Sequence, residues 1–191
     1  DHRDDGRRGF VSNQERERDE SVGNGSMTAA VVVEPQIMEM TTAPIPLPGP
    51  DQVLVRISGC GVCASNLPPW EGKPWFEYPF EPGQLGHEAW GTIEAVGSEV
   101  DDLEVGQRVS MLSNNAYAEY DVAEEQAVAV IPEDFGDRPF PGEPLGCAMN
   151  IMERSRVEPG QTVAIIGIGF LGSLLTRLAG NAGARVIALS R

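Results

Sequence analysis

"VAIIGIGFLGSLLTRLAGNAGARVIALSR", residues 163–191, is the stretch on which the fold turns. Its apolar opening, Val163 to Ile166, reads as a strand, the glycines that follow as a turn, "LLTRLAGNAG" as a helix, and "ARVIALS" as a second strand. That is one βαβ unit, the opening move of a parallel nucleotide-binding sheet. The turn carries G-x-G-x-x-G at Gly167, Gly169 and Gly172. The first glycine permits the tight turn, the second lets backbone approach a pyrophosphate, and the third lets helix pack close on strand. Phe170 and Leu171 stand between the second and third glycines, where a helix N-terminus turns unpaired N–H groups and a positive dipole end toward phosphate. Glycine-rich turns also occur without a ligand; here the flanking strands and helix supply the context a dinucleotide site requires. An NAD site would place Asp or Glu at the end of the second strand. This chain has Ser190 and Arg191 there, which can hydrogen-bond and neutralise a 2′-phosphate, so NADP(H) is expected over NAD(H).

Upstream the pattern differs. "TAAVVVEP", "VLVRISGCG", "AWGTIEAVG", "GQRVSML", "AYAEYDVA" and "AVAVIP" are short strand-like runs separated by Gly and Pro. Such runs indicate an all-β barrel or sandwich. "PIPLPGPDQ" is a proline-rich connection. In "VLVRISGCG", Val53, Val55 and Ile57 alternate on one face. From about residue 144 the spacing becomes helical, with Leu145, Met149 and Met152 expected on one face of "PLGCAMNIMERSRV". Residues 1–26 hold seven acidic and five basic side chains but only Phe10, Val11 and Val22 as sizeable apolar ones. They are expected to be disordered, since so little apolar surface cannot offset ordering entropy. The expected division is therefore a leader at 1–26, a β domain at 27–143 and the start of a nucleotide-binding domain at 144–191.

The 191 residues carry a net charge of −15. That acidity weighs against nucleic acid or an anionic membrane as partner, because either would repel the chain at long range. No apolar run approaches the roughly 18 residues of a membrane span. Thirteen of the 14 basic residues are Arg and only Lys73 is Lys, a surface compatible with a salt-rich cytoplasm. Cys60, Cys63 and Cys147 form no even disulfide framework, which agrees with a reducing compartment, and the cytoplasm is the expected location.

"GCGVCASNL" holds Cys60 and Cys63 as C-x-x-C. A structural zinc site would want a second such pair, and none exists. A redox pair would sit in a thioredoxin-like βαβ context, and this context is all-β. A single functional cysteine remains, Cys63, with Cys60 packed as a small hydrophobe. Catalytic zinc needs three S, N or O ligands and an open position. The candidates are Cys63, His87, Glu88 and either Glu143 or Cys147. His87 and Glu88 can share an ion only if the backbone is irregular there, since consecutive strand residues face opposite ways; Gly86 permits that. Trp70, Trp75, Phe76 and Tyr78 could line an apolar substrate pocket or cap the barrel.

"GCGVCASNL", "GHEAWGTIEAVG", "VGQRV", "GEPLGCAMNIMER" and "GIGFLG", in that order, resemble the zinc-dependent medium-chain alcohol and polyol dehydrogenases. The resemblance runs from about Met27 to Arg191. It implies a GroES-like β-barrel catalytic domain followed by the first βαβ unit of a Rossmann domain. It places Cys63 on the first zinc ligand, His87 on the second and Glu143 on the third, and puts Cys147 near the nicotinamide ring. Glu88 matches a glutamate that binds zinc in some members and stays behind the ligands in others; it ranks below Glu143. Ser65 matches the hydroxyl that passes the alcohol proton. Three departures stand out: Asn66 replaces the usual aspartate, Pro68 stands where relatives often carry a relay histidine, and the four-cysteine structural-zinc lobe is missing from "RVSMLSNNAYAEY". The implied chemistry is reversible oxidation of an alcohol to a carbonyl with Zn2+ and a nicotinamide cofactor, on a small-molecule substrate, by a homo-oligomer in a full-length form. Two alternatives stay open: a non-catalytic fragment that folds and binds zinc, and a zinc-free relative of the quinone reductases.

Overall fold

The computed structural model describes residues 25–190. Most of the expected leader and Arg191 lie outside the described residues. Ser26, the last residue of the expected leader, pairs with Pro44 across the first hairpin.

That hairpin joins β1 (Ser26–Glu34) to β2 (Ile37–Pro44) through a tight turn in which Gln36 takes φ +64°. The sequence reading passed over β2. Its apolar residues stay in solvent, with Ile37, Met38 and Met40 all exposed, so it carries no buried-face pattern.

β3 (Gln52–Gly61), β4 (Glu88–Val96), β5 (Arg108–Met111), β6 (Tyr120–Glu124) and β7 (Val128–Val130) form a five-stranded antiparallel sheet in the order β6-β3-β4-β5-β7. It curls as a half-barrel. β3 lies between β6 and β4, and Val53, Leu54 and Val55 are each fully buried. Alternation alone would have left Leu54 outward. Register shifts between Leu54 and Val55 and again between Ile57 and Gly59 bend β3 against β4. Val53, Val55, Ile93, Val109 and Met111 make the core beneath the sheet, with Cys60 packed against it. The hairpin is tied to this sheet by the segment after β5: Ala29 bridges Ala118, and the Ala30 N–H donates to the Tyr117 carbonyl at 2.8 Å.

A short helix, α1 (Leu67–Trp70), follows β3, and α2 (Gly142–Ser155) packs across β4 and β5. Gly142 enters that contact because a Cβ there would collide with the Ser110 side chain. The buried face of α2 is Pro144 and Ala148; of the residues expected to share one face, Leu145 and Met152 are half-buried and Met149 is 60% exposed. The reason is that the helix is seated by its small residues against the sheet, which turns Met149 away.

The chain then forms β8 (Thr162–Ile166), α3 (Phe170–Asn181) and β9 (Arg185–Leu189), with β8 and β9 parallel and in register from Thr162–Arg185 to Ile166–Leu189. This is the expected βαβ unit. No helix among the described residues is long and apolar enough to cross a membrane.

Candidate metal centre

Three chain segments meet at one corner of the half-barrel. β3 ends at Gly61 and delivers Cys63 and, in a single 3₁₀ turn (Ala64–Asn66), Ser65 and Asn66. The second segment brings His87 and Glu88 at the start of β4. The third is the connection between β5 and β6, carrying Asn115 and Tyr117.

His87 and Glu88 do point toward one place, by a local irregularity. Leu85 takes φ +83°, a left-handed conformation costly for a residue with a branched side chain. Gly86 then pairs as an isolated parallel bridge with Asn115, and a Cβ on Gly86 would strike the Ala116 and Tyr117 backbone. His87 thus sits just outside the ladder and Glu88 is its first rung. The Cys63 sulfur, a His87 ring nitrogen and a Glu88 carboxylate oxygen all lie within 4.8 Å of one another. Ligand atoms around tetrahedral zinc stand about 3–4 Å apart, given bonds of about 2.0–2.3 Å. Small side-chain rotations close the difference.

The ring nitrogens have distinct roles. His87 Nδ1 lies 2.9 Å from the Leu85 carbonyl oxygen. A carbonyl can only accept, so Nδ1 carries the proton and Nε2 keeps its lone pair for a metal. Ser65 Oγ lies 3.4 Å from Nε2, placing the hydroxyl beside the metal-facing nitrogen.

Behind the ligands Asn66 connects all three segments. Its Oδ1 accepts from the Cys63 N–H at 3.1 Å and from the Tyr117 hydroxyl at 3.1 Å, while its Nδ2 donates to the Leu85 carbonyl at 3.0 Å. The Tyr117 hydroxyl also reaches the Gly61 carbonyl at 3.2 Å. Burial, with the negative charge that Cys60, Glu88 and Cys63 can carry nearby, pushes Tyr117 up to about 12, so it stays a neutral donor. Sequence reasoning missed Tyr117 and the Leu85 carbonyl. Nothing in the residue types signalled them, because their roles arise from where the backbone folds.

Glu143 and Cys147 come from a further segment, α2. They lie one turn apart on α2, and the Cys147 thiol donates to Glu143 Oε1 at 2.9 Å. That hydrogen bond, ahead of any burial, holds the thiol up at about 11. Glu88, ranked below Glu143 from sequence, is the carboxylate grouped with Cys63 and His87 here, while Glu143 accepts from the Cys147 thiol of its own helix. Cys60 is raised to about 11 chiefly by burial and stays a protonated packing residue.

Of the four aromatic candidates Trp70 lines a cavity of about 560 Å³, shared with Val32, Met38, Asn66, Leu85 and Tyr117. The others pack in a surface chain: Trp75 on Phe76, Phe76 on Phe80, and Tyr78 edge-on to Phe80 with centroids 5.1 Å apart.

In the βαβ unit, Gly167 takes φ +95°, and a Cβ on Gly172 would collide with the Gly167 carbonyl. Those two glycines are demanded by the turn itself. Gly169 is different: its φ is −81° and a Cβ there would meet nothing within 4 Å. The protein's own packing gives no reason for its missing side chain. It precedes the exposed Phe170 and Leu171 that open α3. Ser190 follows β9 and is exposed.

A GroES-like half-barrel feeding a βαβ unit defines a class, the catalytic and nucleotide-binding architecture of alcohol dehydrogenases, and the comparisons agree. The family description "Alcohol dehydrogenase GroES-like domain" matches residues 49–142. Alcohol dehydrogenase notN from Aspergillus sp. (strain MF297-2) is 31% identical over 78% of this chain and 52% of its own length. Sorbitol dehydrogenase from Bacillus subtilis (strain 168) is 28% identical over 85% of this chain and 55% of its own length. A solved structure from Sinorhizobium meliloti 1021, described as a zinc-binding dehydrogenase bound to NADP, superposes with a TM-score of 0.72 at 27% identity, covering 86% of this chain and 56% of that one. The chain belongs to the medium-chain alcohol and polyol dehydrogenase family. It spans about half the length of the curated relatives it matches.

Proposed function

We propose that this chain contributes the metal-binding and first nucleotide-binding elements of a zinc-dependent, NAD(P)-linked oxidoreductase that interconverts an alcohol or polyol and its aldehyde or ketone. The observation that carries the proposal is the convergence of Cys63, His87 and Glu88 within 4.8 Å. A thiol, an imidazole nitrogen with a free lone pair and a carboxylate form a donor set suited to zinc, leaving one position for water or substrate. Glu143, on the neighbouring helix, is a further candidate ligand.

When bound, zinc supplies Lewis acidity toward an alcohol oxygen, and the nicotinamide supplies hydride exchange. The chain's own residues do the rest. Cys63, His87 and Glu88 would hold the metal, and the Leu85 carbonyl, by taking the Nδ1 proton, would leave Nε2 to ligate it. Ser65 Oγ, 3.4 Å from Nε2, is placed to take the alcohol proton and pass it to water, since Pro68 offers no relay. Gly167, Gly169, Phe170, Leu171 and Gly172 receive the pyrophosphate at the start of α3, and Ser190 with Arg191 favours a 2′-phosphate, hence NADP(H). The division at residues 27–143 and 144–191 separates these two tasks. The substrate is a small alcohol or carbonyl compound, the setting is the cytoplasm, and a longer form assembles as a homo-oligomer.

Metal analysis of the purified chain tests the proposal. About one zinc per chain is expected, lost in His87→Ala and in Cys63→Ser. Zero zinc in the unaltered chain would overturn it in favour of a zinc-free, quinone-reductase-like protein.

A further inference from the structure

We propose that Asn66 is a positioning residue that aims both Cys63 and His87 at the metal, and that it does so as a neutral amide, using donor and acceptor together. The inference rests on the metal-centre reading above and adds a role for a side chain that touches neither ring nor thiol.

The two principal ligands reach the site from segments more than 20 residues apart, one from the end of β3 and the other from the start of β4. Asn66 is the side chain that bonds to both approaches. Its Oδ1 takes the Cys63 N–H at 3.1 Å, fixing the backbone that carries the thiol. Its Nδ2 donates at 3.0 Å to the Leu85 carbonyl, the same oxygen that accepts His87 Nδ1 at 2.9 Å. Leu85 is held at φ +83°, so its carbonyl needs an anchor to stay where the imidazole requires it. The Cys63 N–H can only donate and the Leu85 carbonyl can only accept, so they fix which end of the amide is oxygen. The Tyr117 hydroxyl, 3.1 Å from Oδ1, shares its one proton between that oxygen and the Gly61 carbonyl at 3.2 Å.

A carboxylate would serve one half of this arrangement and not the other. Aspartate could accept from Cys63 and Tyr117, but its second oxygen would face the Leu85 carbonyl with no proton between them. The aspartate usual in relatives is therefore not interchangeable with Asn66 in this chain. Partners behind metal ligands are worth about 10–100-fold in metal affinity.

The test measures zinc affinity by chelator competition, at one pH, for the unaltered chain, Asn66→Ala, Asn66→Asp and Tyr117→Phe. It adds the absorption spectrum of the cobalt-substituted proteins and the ring nitrogen shifts of His87 in the metal-free proteins. Asn66→Ala and Asn66→Asp are expected to bind zinc about 10–100-fold more weakly, with altered cobalt bands and a His87 ring no longer held as the Nδ1–H tautomer. Tyr117→Phe is expected to lose less, because Cys63 still donates to Oδ1. Unchanged zinc affinity and unchanged His87 shifts in Asn66→Ala would overturn the inference while leaving the metal centre standing, as would a lower melting temperature with no change in either. Zinc affinity in Asn66→Asp equal to that of the unaltered chain would overturn the claim that the donor is needed. If the unaltered chain takes up no zinc, the metal reading fails, and the His87 shifts still decide whether Asn66 sets the tautomer.

Discussion

The metal corner and the βαβ unit obey opposite logics. In the corner, three segments distant in sequence are cross-braced by Asn66, Tyr117, Gly86 and Asn115, above a core in which Val55 and Ile93 are almost wholly buried. In the βαβ unit nearly everything is local, and one set of apolar strand side chains is exposed, Ile166 at 83% and Leu189 at 48%, while Val163, Ile165 and Val186 are half-buried. One region is held together by tertiary bonds, and the other is shaped by its own sequence. The difference shows that a nucleotide turn can be specified by spacing alone, whereas a metal corner needs a fold around it.

Four substitutions would break or sharpen that contrast. The largest effect is expected at the ligands: His87→Ala should take bound zinc from about one per chain to none, measured on protein dialysed against metal-free buffer. Next, Leu54→Ala should destabilise the half-barrel by about 3–4 kcal/mol in urea unfolding, because it leaves a cavity in a closed core. Ile187→Ala in β9, already 42% exposed, should cost less than about 1 kcal/mol, since little area is removed from water to begin with. An equal cost at the two positions would erase the distinction between the regions. The smallest change is chemical. The Glu143 carboxylate keeps the exposed Cys147 thiol protonated, at about 11. A thiol raised in this way is unreactive until the pH approaches that value, so Glu143→Gln should shift Cys147 alkylation toward lower pH. At pH 8 the labelling rate, followed by mass spectrometry, should rise about tenfold.

The same contrast explains what could be read from the chain alone. The glycines at 167, 169 and 172, with an apolar run on either side, announced strand, turn and helix because each of those signals lies within a few residues of its effect. β3 and β4 were legible for the same reason. β2 was not, because its Ile37, Met38 and Met40 face solvent and mimic no strand that buries a face. Helix α2 was found from its apolar spacing, but that spacing did not reveal that Pro144 and Ala148 form its buried face or that Gly142 lets it approach Ser110 of β5. Cys63 and His87 could be picked out by type. The approach of Glu88 to that pair could not, because it depends on the left-handed turn at Leu85, a residue whose identity gives no hint of that conformation. The bracing by Tyr117 was invisible for a related reason: it bonds to Asn66 and a main-chain carbonyl, and main-chain partners leave no mark in sequence.

The stretch between β5 and β6 has one more consequence. Its main chain bonds to Ala30 on one side and to Gly83 and Gly86 on the other, so the hairpin cannot peel off without disturbing the bed beneath His87. Amide protons of Ala30, Ala116 and Tyr117 should therefore exchange with deuterium at a common rate, as a single foldon. Damage at the outer edge of this protein would be felt at its centre.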